Sequence, residues 1–281
     1  MENSIEIEEI KYKPAKTTDE MIDKLYTFKN VRYNIISKDD AKDILLRYNY
    51  INVITPFKHN FAKKDKNGKL IKINGNHVYE RKVEFSEYFN YYNDERKKYP
   101  IIYTNISTFE THFKAITTYH ILNDIKDKIE TPTDLKQFLL KIKTSIALQN
   151  VDFSDKRIAN MINEINSISS DEYISKYSEV YVFFDRLSLG ALLNIFIGLD
   201  KNLQNSIFND MSKYKQTLET GVVTQFINRT FKLVGIRNYI MHNNSLEILI
   251  RFYDSKDKSS LRKPREREAY SSLINLLSKE K

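Results

Sequence analysis

Apolar and polar positions follow a helical period over most of the 281-residue chain, and one stretch departs from it. Residues 5–16 read as an extended arm. Thr17-Thr18-Asp19-Glu20 then offers a capping hydroxyl and first-turn acids, predicting a helix through Leu25 to about Lys29. Ser37-Lys38-Asp39-Asp40 predicts a second helix carrying Ala41, Ile44 and Leu45, and Pro56 kinks or ends the segment after it. The rhythm breaks at residues 63–85. Asp65-Lys66-Asn67-Gly68-Lys69 and Asn74-Gly75-Asn76 are turn sequences around Leu70-Ile71-Lys72-Ile73, with Val78, Arg81, Val83 and Phe85 on a returning strand. A small basic β-hairpin is expected there.

From Ser86 onward the pattern is helical. Phe85, Tyr88, Phe89 and Tyr92 form an aromatic stripe, which suits a core better than a base-stacking platform. Residues 105–126 predict a long helix with Phe109, Phe113, Ile116 and His120 on or near one face. Thr131-Pro132 starts another, because proline suits the first helical position. Shorter helices are expected at residues 155–165 and 171–177. Residues 180–199 are strongly apolar, with Gly190 placed to allow close helix contact, and Asp200 caps the next segment. No repeat occurs, and no linker is long enough to separate independent domains. The expected organisation is an N-terminal arm and helical cap (1–62), a basic hairpin insertion (63–85) and a helical domain (86–281), as one compact unit.

Residues 226–244, FINRTFKLVGIRNYIMHNN, hold the candidate chemistry. A helix is expected from about Thr217, with Ile227, Phe231, Val234 and Met241 on its buried face. Arg237, Asn238 and His242 near that face need partners, since buried polar groups are unfavourable without them. At about 100° per residue, Asn238 and His242 stack one turn apart, and Arg237 lies about 140° around from His242. Asn243-Asn244 tolerate the left-handed turn that ends a helix. Arginine can fork two phosphate oxygens and histidine can pass protons near neutral pH, so the trio suits a phosphodiester. It suits a capped helix end equally well. With five histidines and about a dozen arginines, chance supplies roughly 0.6 Arg-His pairs at such spacings, or about 0.06 with Asn required after the Arg.

The net charge of +8 favours an anionic partner, nucleic acid first. A composition rich in Lys, Asn, Ile and Tyr makes that support rather than proof. Lys63, Lys64, Lys66, Lys69 and Lys72 on the hairpin, and Arg262, Lys263 and Arg265 in the basic stretch 256–267, are the candidate RNA contacts; each set also reads as solvated surface. No run of about eighteen apolar residues is present, the N-terminus is acidic, and there is no cysteine. A cytoplasmic protein without membrane spans, disulfides or thiolate metal sites is expected. His59 and His77 show no ligand spacing; His112 and His120 read as satisfied histidines. Six glycines and no phosphate-cradling loop argue against kinase, GTPase and dehydrogenase chemistry, and no cofactor is expected.

Arg237-Asn238-x-x-x-His242 near the end of an apolar helix resembles the Arg-x4–6-His signature of HEPN-type ribonucleases. The wider chain resembles the abortive-infection AbiD/AbiF type, through Lys13-Pro14 and the helix after it, residues 41–57, Phe109-Glu110-Thr111-His112-Phe113 and Asp185-Arg186-Leu187-Ser188-Leu189-Gly190. The resemblance implies a mostly α HEPN-type bundle and metal-independent RNA cleavage leaving a 2′,3′-cyclic phosphate. It implies His242 as general acid or base, Arg237 on the phosphate, Asn238 orienting either, and an acidic partner for Arg237, for which Glu110 is the candidate. Glu110 also reads as an ordinary i,i+4 partner of Lys114. One motif per chain implies a homodimer, and some relatives are restrained by a small structured non-coding RNA. A helical protein that binds RNA without cutting it, and a purely structural helical dimer, are the alternatives.

Overall fold

Side-chain caps set where the first helices begin. In this computed structural model, which describes residues 15–66, 70–73, 76–79, 81–126, 128–148, 153–214, 218–252 and 262–279, the Thr17 hydroxyl accepts the Glu20 N–H. The Glu20 carboxylate accepts the Thr17 N–H in return at 2.7 Å, a reciprocal capping box that opens α1 (Thr18–Lys29). β1 (Val31–Arg32) follows, and the Ser37 hydroxyl caps α2 (Lys38–Tyr48). Pro56 lies in the turn between α3 (Tyr50–Val53) and α4 (Lys58–Phe61). The chain is mostly α-helical, as expected.

The hairpin forms but is shorter than its sequence suggested. β2 (Lys72–Ile73) pairs antiparallel with β3 (Asn76–His77), Lys72 opposite His77 and Ile73 opposite Asn76. The returning segment pairs on past β3, the Val78 N–H donating to the Ile71 carbonyl and Tyr79 bridging to Ala62, but its end departs: β4 (Val83–Glu84) lies parallel to β1, Val31 opposite Val83. Both valines are fully buried there, whereas Ile73 on the hairpin is 64% exposed. Burial of Val83 outweighs a longer exposed ladder.

The aromatic stripe and the long helix expected from residue 105 are one element, α5 (Phe85–Ile125), which carries Pro100 inside it. Proline removes one backbone donor, and Tyr99 and Ile102 on either side of it are buried. α6 (Pro132–Leu148) begins on its proline; α7 (Asp155–Ile168) and α8 (Asp171–Ile174) come next. The apolar run 180–199 is split into α9 (Val180–Arg186) and α10 (Leu189–Gly198), bent by 117°. Leu187 is extended at the break and the Ser188 hydroxyl accepts the Ala191 N–H, restarting the helix. No single described helix is long and apolar enough to cross a membrane. α11 (Lys201–Lys213) starts at Asp200, whose carboxylate accepts two N–H groups as expected. α12 (Val223–Met241), α13 (Leu246–Phe252) and α14 (Arg262–Leu277) complete the order.

The fold has two units, residues 1–97 and 98–281. The first is built on Leu25, Val31, Ala41, Val53, Ile54, Val83, Phe85 and Tyr88, so the aromatic stripe is core. In the second, α10 is buried on all sides and packs on α6, α7 and α12. The close helix approach comes at Gly198 rather than Gly190. A Cβ on Gly198 would lie 2.5 Å from Ile142 Cγ2 and 2.8 Å from the Ile142 carbonyl, whereas at Gly190 it would meet atoms only at 3.7 Å or beyond. Over Gly190 lies the Glu164 carboxylate, which accepts from Asn194 Nδ2 at 2.6 Å and from the Ser188 hydroxyl at 3.4 Å. Burial pushes the Glu164 pKa up, and these two hydrogen bonds oppose the shift.

Candidate active site

α12 buries a line rotated from the expected one. Phe226, Ile227, Thr230, Leu233 and Ile236 are buried, Phe231 and Val234 flank them, and Met241 is 56% exposed. Apolar residues on both sides of the helix made the period ambiguous, and Phe226 settles it. Its ring meets Phe109, Phe113, Phe196 and Phe208 at centroid distances of 6.0, 5.8, 6.0 and 5.6 Å. The buried Thr230 hydroxyl donates to the Phe226 carbonyl at 2.9 Å and so leaves no unmet group.

Following 226, 230 and 233, the next position on the core-facing line is 237. Arg237 therefore leaves the core at its edge, with its side chain 31% exposed, and needs a counter-charge. Glu110 on α5 supplies it: Arg237 Nε lies 3.1 Å from Glu110 Oε2. The other reading of Glu110 holds at the same time, since Lys114 Nζ lies 3.4 Å from Oε1. Glu110 is 14% exposed, so this is no ordinary surface glutamate. Lys114 Nζ also donates to the Asp185 carbonyl at 3.3 Å, in the last turn of α9. The Nη groups of Arg237 make no hydrogen bond to a described residue.

Asn238 and His242 are exposed, one on each of the last two turns of the helix. Rotation of the buried line turns both outward, one turn apart. His242 is the C-cap, and Asn243 follows in the left-handed region at φ 56°, as its type allows. The Asn243 N–H donates to the Ile240 carbonyl and the Asn244 N–H to the Tyr239 carbonyl, so the helix end is closed by its own backbone. Tyr99 of α5 holds the next residues: its hydroxyl donates to the Asn244 carbonyl at 2.7 Å and accepts the Leu246 N–H at 3.3 Å. Glu110 and Tyr99 thus tie the last turns of α12 to one helix.

Of the other candidates, Lys63, Lys64 and Lys66 are exposed in residues 1–97. Lys72 lies in β2, Arg262, Lys263 and Arg265 begin α14, and Lys69 lies outside the described residues. His120 pairs with Asp210 at 2.8 Å; hydrogen bonds from Lys213 and then His120 hold the Asp210 carboxyl below its usual range. His112 Nδ1 is buried with no hydrogen-bond partner among the described residues. His59 and His77, distant in sequence, have ring centroids 5.7 Å apart. No group of three or more His, Asp or Glu among the described residues could hold a metal ion. Sequence reasoning missed Lys114 as a site residue, and Tyr99 altogether. The i,i+4 spacing from Glu110 was a signal for Lys114; Tyr99 left none.

No curated protein and no solved structure matches the chain. A family model does, described as Abi-like protein, over residues 43–246, a span that holds α12 and every residue of the Arg237–Glu110–Lys114 cluster. On that match, the chain belongs to the Abi-like protein family.

Proposed function

We propose that this Abi-like protein serves abortive-infection defence as a metal-independent endoribonuclease, with Arg237, Asn238 and His242 as its working residues and RNA as its substrate. Family membership supports the defence role. The observation that carries the ribonuclease reading is the state of Arg237. Its guanidinium is held at Nε by a mostly covered carboxylate, its Nη groups have no hydrogen-bond partner among the described residues, and exposed Asn238 and His242 lie at the same helix end.

The chemistry is internal transesterification. The RNA 2′-oxygen bonds to the adjacent phosphorus, the 5′-oxygen leaves, and the products are a 2′,3′-cyclic phosphate and a 5′-hydroxyl. One proton leaves the 2′-hydroxyl and one reaches the 5′-oxygen. His242 passes a proton in this exchange, being a titratable ring in solvent contact. The Arg237 Nη groups donate to the non-bridging oxygens, which are already anionic in the bound substrate, and hold them as further charge builds. Asn238, one turn before His242, orients the imidazole or the phosphate. A single motif per chain pairs with its copy across a two-fold axis, so the working site is shared by a homodimer. A structured non-coding RNA that resists cleavage fits the same surface as a restraining partner.

An RNA carrying one 2′-deoxy nucleotide at the scissile position tests the chemistry. The protein cuts the all-ribose strand and leaves the substituted linkage intact. Cleavage of both at equal rates would exclude the 2′-hydroxyl as nucleophile, and binding of both without cleavage would favour the non-catalytic RNA-binding alternative.

A further inference from the structure

We infer that Lys114 is a positioning residue of this site: it holds one oxygen of Glu110 so that the carboxylate meets Arg237 at Nε and leaves the outer edge of the guanidinium to a phosphate. The inference rests on the ribonuclease reading for its consequence, though not for its geometry.

A carboxylate beside an arginine favours a two-armed pair, one oxygen on Nε and the other on an Nη group. At this site the second oxygen is engaged elsewhere. Glu110 Oε2 faces Arg237 Nε at 3.1 Å while Oε1 faces Lys114 Nζ at 3.4 Å. Lys114 is anchored in turn by the Asp185 carbonyl at 3.3 Å, an acceptor in the last turn of α9, where helical partners run out. Asp185 offers its backbone here, so Lys114 brings no second carboxylate to the cluster. Two cations and one anion leave the cluster with a net positive charge. Without Lys114, Oε1 turns onto the guanidinium, forms the second arm and neutralises the edge that a phosphate needs. Lys114 is 23% exposed, consistent with a group held in place rather than a solvated surface lysine.

The test combines kinetics with a probe of Arg237 itself. In Lys114→Met the KM for a short single-stranded RNA rises about tenfold with the smaller change in kcat, as expected when ground-state phosphate binding is lost. Lys114→Arg, which still reaches the carboxylate, restores most of that loss. In a Glu110→Gln background Lys114→Met adds no further loss, because Lys114 acts through Glu110. Independently of activity, the Arg237 ¹⁵Nε–¹Hε cross-peak, assigned with Arg237→Lys, moves in Lys114→Met and stays in place in Lys114→Arg. Lys114→Gln, which keeps a donor for the Asp185 carbonyl but no charge, gives the same outcome if the methionine variant folds poorly. An unmoved cross-peak, or equal losses in the wild-type and Glu110→Gln backgrounds, would overturn the inference. A cross-peak that moves in a protein that cuts no RNA would retain the positioning role and remove the ribonuclease reading.

Discussion

Single side chains decide how the helix carrying Arg237 presents its end, and Tyr99 is the most exacting of them. Its hydroxyl bridges the Asn244 carbonyl and the Leu246 N–H, and Leu246 is 3% exposed. Tyr99→Phe keeps the ring but leaves a buried donor unmet, so it should lower stability by about 1–3 kcal/mol, read as a shift in the urea midpoint. A midpoint equal to wild type would mean water or another group replaces the hydroxyl. Lys29 gives a pH signature elsewhere in the chain. Burial, then the nearby Lys58 and Lys24, lower its pKa to about 8, and its Nζ donates to the Tyr50 hydroxyl at 2.7 Å. Between about pH 8 and the usual lysine value of about 10.4, the unfolded chain keeps the proton that the folded one has released. Wild-type stability should therefore rise relative to Lys29→Met across that window, and a constant melting-temperature difference from pH 7 to pH 10 would contradict it. At this scale the sequence showed what a residue's type allows. Asn243 in a left-handed turn and Asp200 as a cap were legible because both are local properties. Tyr99 was not, since its role depends on where two distant segments meet. The Glu110–Arg237 contact was reachable only through a family resemblance, because no spacing joins α5 to α12.

Elements were legible where caps mark them and ambiguous where apolar residues surround a helix. Residues 180–199 read as one apolar run, yet Ser188 restarts a helix at 117° to the preceding one. The buried line of α12 was misplaced for a related reason: Ile227, Phe231 and Val234 match the helical period as well as Phe226, Thr230 and Leu233 do. Only the aromatic cluster around Phe226 distinguishes the two, and that cluster is a tertiary fact. The rotation matters for chemistry, because it places Arg237 at the core's edge and turns Asn238 and His242 to solvent. The junction of α10 with α6 gives a direct test of packing. Gly198→Ala sets a methyl against Ile142 side-chain and backbone atoms, and only the former can move aside. It should destabilise by about 1–3 kcal/mol. Gly221→Ala, where an added Cβ meets nothing within 4 Å, should be neutral or slightly stabilising. Equal effects in chemical denaturation would mean that α10 shifts to accommodate the methyl.

For the molecule as a whole, charge and family point the same way while testing different things. A net charge of +8 draws the chain toward polyanions, and the Abi-like match associates it with defence. Neither establishes a reaction. The division into residues 1–97 and 98–281 places Arg237, Asn238, His242, Glu110, Lys114 and Tyr99 all in the second unit, so the proposed chemistry belongs to that unit. A shared site requires two copies. Sedimentation equilibrium should give twice the 33.3 kDa chain mass, and a monomer that retains full activity would remove the composite-site proposal. The most direct test of the central claim compares wild type with His242→Ala on a defined RNA in buffer containing chelator, with the product ends identified. The wild type should leave 2′,3′-cyclic phosphate and 5′-hydroxyl ends, with at least a hundredfold less cleavage from a variant of unchanged melting temperature, within the range that general acid–base catalysis supplies of about 10²–10⁴. Equal cleavage by both proteins, or 3′-hydroxyl ends, would contradict it.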